Sequence, residues 1–87
     1  MAWLTRDQVK QIVCGALSEI ANYDGDCEQY QIAEIDDQYL PDFGNSIQDK
    51  MNEQGFEVTL SIPIIKEKTT ISDLINYVKA NQRRPIQ

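Results

Sequence analysis

Two capped amphipathic stripes, one near each end of the chain, leave few folds open to it. Thr5 and Gln8 stand at the spacing of a capping box, and behind them Val9, Ile12, Val13, Ala16, Leu17 and Ile20 recur at i, i+3, i+4, i+7, i+8 and i+11. That spacing gathers the apolar side chains on one face of a helix. Thr70 and Asp73 repeat the capping pattern ahead of Ile71, Leu74, Ile75 and Val78, with Lys79 placed to suit the negative end of the helix dipole. Each stripe needs something apolar to cover it, and the rest of the chain must supply the cover. Gly15 interrupts the first stripe at a cost of roughly 1 kcal/mol relative to alanine, which marks it as a point of close approach to a neighbouring helix. Phe56, Val58, Leu60 and Ile62 alternate with polar residues at the period of a half-buried strand, but no second convincing strand exists to pair with them. The segment is expected as an extended connector that plugs the core, followed by a short turn or helix around Pro63 to Glu67. The fold class implied is all-α.

Between the outer helices the most informative run is Tyr39-Leu40-Pro41-Asp42-Phe43-Gly44-Asn45-Ser46-Ile47. Ser46 precedes Asp49 by three residues, the serine–acid spacing of a helix N-cap, so a helix is expected to start there, with Pro41 limiting any helix before it and Gly44 freeing the backbone. This helix is short, ending near Gly55, with Ile47 and Met51 facing inward and Asp49 and Glu53 on an outer face with Asp42 near its start. The Ser46 hydroxyl then either caps the helix or carries a group that a helix N-terminus favours, such as a phosphate ester.

Charge narrows the partners. Fourteen acidic residues against eight basic give a net charge of -6 and an isoelectric point near 4.4, which argues against nucleic acid and anionic membranes and for a basic partner surface. The imbalance is local: from Glu19 to Glu57 the only basic residue is Lys50. Asp24, Asp26 and Glu28 occupy positions 1, 3 and 5 of a would-be calcium loop, but Gln29 replaces the glycine at position 6 and Ile35 the glutamate at position 12, so the segment reads as a solvated acidic loop and no metal site is expected. Residues 28–37 fit either a loose helical turn or extended packing. Cys14 and Cys27 lack metal-type spacing, and Met1 to Leu4 is too short for a signal peptide; free thiols in a soluble, cytoplasmic protein are expected. No run approaches the roughly 20 apolar residues of a membrane span. The chain contains no histidine and no paired nucleophile and base, so an independent enzyme is not expected.

Three pieces in this order resemble the acyl and peptidyl carrier proteins, whose four-helix domain bears a phosphopantetheine arm on a serine: Val9-Lys10-Gln11-Ile12-Val13 in the first helix, Asp37 to Ser46 with its Tyr39-Leu40-Pro41-Asp42-Phe43-Gly44 run, and Phe56 to Gln82 with Thr70-Ile71-Ser72-Asp73 opening the last helix. The resemblance implies a single domain over 1–87, with its core at about 5–82 and a frayed tail at 83–87, built as a small four-helix bundle with a shortened second helix. It implies 4'-phosphopantetheine on Ser46, with Gly44 and Asp42 beside the attachment point and Asp42, Asp49 and Glu53 recognised by basic partners. Those partners would be a phosphopantetheinyl transferase and acyl-handling enzymes of fatty-acid, polyketide or peptide synthesis, each meeting a single copy of the chain. Asn45 stands where the family has an aspartate, one residue is missing between Gly44 and Ser46, and the interval from Ser46 to Phe56 is about one helical turn shorter than the family's. The alternative is a carrier-fold interaction or regulatory module that has lost the arm and binds a basic partner through the acidic surface alone.

Overall fold

The computed structural model describes residues 3–23 and 25–84. Among these residues four α-helices follow in order, α1 (Arg6–Ser18), α2 (Leu40–Glu53), α3 (Ile62–Lys66) and α4 (Ile71–Asn81), with three 3-10 turns at Cys27–Gln29, Ile32–Glu34 and Asp37–Tyr39 between α1 and α2. Among the described residues there is no strand, only two isolated antiparallel bridges, Gln31 with Thr70 and Glu57 with Arg83. The all-α class expected from the two stripes holds. The radius of gyration is 12.1 Å, close to the roughly 12 Å of a compact chain this long.

Both outer helices form as their caps dictate. Thr5 accepts from the Gln8 amide while the Gln8 side chain accepts from the Thr5 amide, and Thr70 and Asp73 make the same reciprocal pair, so each helix start has two of its orphan donors satisfied. Val9, Val13, Ala16 and Leu17 of α1 and Ile71, Leu74, Ile75 and Val78 of α4 are buried. α1 lies against both α4 and α2, while α3 packs on α2 and the second 3-10 turn. The connector follows its alternation over three of the four residues: Phe56, Val58 and Leu60 are buried, while Ile62 is exposed as the first residue of α3, which Ser61 caps.

The second helix departs from expectation. It is the longest of the four, starts at Leu40 rather than Ser46, and is not shortened. Pro41 falls in its first turn, where the missing N–H is one that no helix could use and the fixed φ favours helical entry; a residue expected to block a helix opens one. Leu40, Phe43, Gly44, Ile47 and Met51 then line the buried face. The aspartate that caps this region is Asp36, which accepts from the Gln38 amide and leads through the third 3-10 turn into α2. At the other end Gly55, at φ 87, turns the chain out of the helix in the left-handed conformation that costs glycine least, as expected.

Two more expectations fail. Cys14 and Cys27 are not free thiols but a disulfide, closing a separation of 13 residues and fastening the first 3-10 turn to α1; with that bond the thiol argument for a reducing compartment lapses. Arg83 is not frayed: its amide and carbonyl both pair with Glu57, and the Arg84 guanidinium lies 5.2 Å from the Trp3 ring centre. Residues 85–87 of the expected tail, and Asp24 of the acidic loop, lie outside the described residues. Just before Arg83, the buried Gln82 side chain accepts from the Leu4 amide and donates to the Leu4 and Lys79 carbonyls, each at 3.0 Å, so the two ends of the chain share one satisfied polar clamp.

Candidate functional site: an acidic depression between the first two helices

Ser46 is the pivot of the sequence reading, and the fold gives it a different setting. It is the seventh residue of α2, two turns in from Leu40, so its amide belongs to the helical ladder and no free N-terminus lies beneath it. Its half-buried hydroxyl donates to Glu19 Oε1 at 2.6 Å, across from the C-terminal end of α1. Glu19 Oε2 in turn meets Lys50 Nζ at 3.3 Å, one turn further along α2. The Ser46 hydroxyl, and after it Lys50, hold the Glu19 carboxyl below the usual carboxylate range. Serine, glutamate and lysine form a tie between α1 and α2 rather than a serine poised at a helix tip.

Asp42, Asp49 and Glu53 do gather around that tie, as their spacing on α2 implies. Together with Glu19, Asn45, Ser46 and Lys50 they line one open depression of about 360 Å³. Three of the expected site residues are therefore neighbours of Ser46. Gly44 is not. It faces the opposite way, fully within the helix, where a Cβ would meet Ile65 Cδ1 at 3.2 Å and the Leu60 carbonyl at 3.6 Å. Its smallness lets the connector and α3 close over α2, and it takes no part in the depression.

The residues present do not fit a phosphopantetheine arm. The hydroxyl that would carry the arm is engaged by a carboxylate, and a phosphodiester there would stand among Glu19, Asp42, Asp49 and Glu53 with Lys50 as the one cation in the lining. Each of those carboxylates opposes a further negative charge, and the dipole that a helix start would offer is two turns away. Neither Ser46 as a cap nor Gly44 as the glycine of a preceding turn survives.

Glu19 is the member of the site that sequence reasoning left out. Its signal was faint: it opens the acid-rich stretch and stands beside Ile20 at the end of the first apolar stripe, but its partner Ser46 lies 27 residues away. Among the described residues no group of three or more His, Cys, Asp or Glu side chains could hold a metal ion, and no helix is long and apolar enough to cross a membrane. What the fold and the depression define is a small helical domain with an acidic face. No protein-family model matches the chain, and neither a curated protein nor a solved structure matches it.

Proposed function

We propose that this protein is a non-enzymatic interaction module that binds a basic partner through the α1–α2 face and carries no arm. The observation that carries this reading is the depression itself, lined by three carboxylates of α2, by Glu19 at the end of α1, and by a single lysine that Glu19 already holds. Four carboxylates with one cation among them leave a local excess of negative charge, which steers a cationic surface toward them and rejects acidic competitors. The overall charge of -6 extends the same bias over the molecule. The reading favours a domain whose work is recognition, and it leaves Ser46 the modest task of holding Glu19 in place.

Two measurements test it. Co-expression with a promiscuous phosphopantetheinyl transferase is expected to leave the intact mass unchanged under conditions that load a control carrier; an arm that appears and then vanishes in Ser46→Ala would restore the carrier reading. Titration with an arginine-rich peptide is expected to show salt-dependent binding that Asp42→Lys, Asp49→Lys and Glu53→Lys together abolish. The control is the triple reversal of Asp7, Glu34 and Glu67, which are exposed and lie outside the depression. Equal losses in both triple variants would reduce the effect to net charge and defeat the assignment to this face.

A further inference from the structure

Gly15 is the residue the fold fails to explain. It lies in the body of α1, where glycine is the poorest helix former after proline, and a Cβ built on it would meet nothing within 4 Å. The close approach that its place in the sequence suggests is therefore not made to any of the described residues. Gly44, with Ile65 3.2 Å from its would-be Cβ, shows what an internally required glycine looks like in the same fold.

The space above Gly15 has a shape. With Gln8, Gln11 and Ile12 it forms one face of α1, at i, i+3, i+4 and i+7, and that face, with Leu4, borders a groove of about 300 Å³ whose far wall is Lys50 and Glu53 of α2 and Gln54 just past its end. Lys50 and Glu53 also line the acidic depression, so the two concavities run into each other along the α1–α2 seam. From Gln8 to Glu19 the α1 wall is about 16 Å long, the length of three helical turns. Ile12 supplies a half-buried apolar contact at its middle. The Glu19, Asp42 and Asp49 carboxylates stand at one end, Glu53 lies in the wall the two concavities share, and Lys50 is already held by Glu19.

We infer that the α1–α2 seam is the seat of a basic amphipathic helix from a partner protein, with Gly15 as the point where the two helix backbones come closest. The inference rests on the interaction reading above and names the partner element and the site of contact. A side chain at the crossing of two helices sets their separation, and removing it at Gly15 lets the partner settle deep enough to reach Ile12 with its apolar stripe. Lysines or arginines flanking that stripe then meet the carboxylates. The helix is a partner's because its charge must complement an acidic wall, and the helices of this chain carry two basic residues at most.

The probe is a synthetic 18-residue peptide of alanine, leucine and lysine, with leucines at helical spacing and lysines on both flanks. Its control is a scramble of the same composition that has no apolar face. Binding is read by calorimetry at low and at physiological salt. The ordered peptide is expected to bind more tightly than the scramble. Gly15→Leu should weaken it about tenfold while leaving the scramble unaffected. Gly15→Ala should weaken the ordered peptide by a smaller factor and at the same time raise the melting temperature by roughly 2–6 °C, since the fold gains a better helix former and meets no clash.

A folded Gly15→Leu variant, checked by circular dichroism, that binds the ordered peptide as well as the parent does would overturn the seat. So would equal affinity for the ordered and scrambled peptides. If the triple reversal of Asp42, Asp49 and Glu53 removes binding of both peptides while Gly15→Leu spares both, the acidic-face reading stands and the groove falls. If the reversal spares both peptides, the reading beneath it falls as well.

Discussion

The seam between α1 and α4 and the seam between α1 and α2 are built from the same helix and treated in opposite ways. On the α4 side everything is fastened. The Cys14–Cys27 disulfide pins the first 3-10 turn to α1, and Arg6 reaches Glu28, Ser72 and Asn76 while Lys10 takes the second oxygen of Glu28. The Tyr30 carbonyl accepts from the Ile71 amide, and the Ile32 amide donates to the Thr69 carbonyl, so the strap formed by Cys27 to Ile32 is tied to the start of α4 as well. On the α2 side the apolar stripes meet below, but the polar surface above them holds one tie through Ser46, Glu19 and Lys50, an unfilled position at Gly15, and a row of carboxylates. The difference teaches where this molecule invests its stability: surfaces that are locked together cannot greet a partner, and surfaces left open and charged can.

Breaking the covalent fastening should have the largest effect. Replacing both cysteines with serine removes a cross-link over 13 residues and is expected to lower unfolding free energy by about 3 kcal/mol, read from urea denaturation. An unchanged midpoint would mean that the strap is held by its polar bonds alone. Next comes the clamp between the chain ends. Gln82→Ala leaves the Leu4 amide and carbonyl without their partner, and a loss of about 1–3 kcal/mol in the same assay is expected.

Acid should weaken the α4 side through Glu28. Arg6, then Lys10, hold the Glu28 carboxyl down to about 2. A carboxyl with a depressed folded pKa contributes stability that is fully present above its ordinary value of 4.5 and is lost as the pH falls toward about 2. The melting temperature of the parent should therefore drop across that window more steeply than that of Glu28→Gln, whose curve should be flatter there. Parallel curves would remove Glu28 from the fastening. The smallest effect is expected on the open side: Ser46→Ala should shift the melting temperature by no more than ~2 °C, since the lost hydrogen bond is solvent-accessible and alanine is the better helix former. A large loss there would make the two seams alike and erase the contrast.

Much of the locked side was legible because its causes are local. Thr5 with Gln8 and Thr70 with Asp73 sit three residues apart, and a capping box needs no information from beyond the turn it closes. The alternation of Phe56, Val58 and Leu60 likewise announces its buried face, and Gly55 its turn. The second helix was misread through one residue. Pro41 carries the same fixed φ and the same missing donor whether it ends a helix or begins one, and the choice depends on which side of it the apolar stripe runs. Leu40, Phe43 and Ile47 are the stripe, but Phe43 and Gly44 also suit a turn before a capping serine, and that reading displaced the helix start by six residues.

The chain by itself determined its two outer helices, the extended plug between them, the all-α class and the clustering of negative charge, because each follows from spacing within a few residues or from bulk composition. Only the tertiary structure decided that Cys14 meets Cys27, that Glu19 rather than solvent receives the Ser46 hydroxyl, that Gly44 is closed over by Ile65, and that the space at Gly15 is taken by none of the described residues. The first three depend on which segments come together across 13 to 27 residues. Closing those distances is the work of the buried stripes, whose attraction is non-directional and fixes no particular pair in advance.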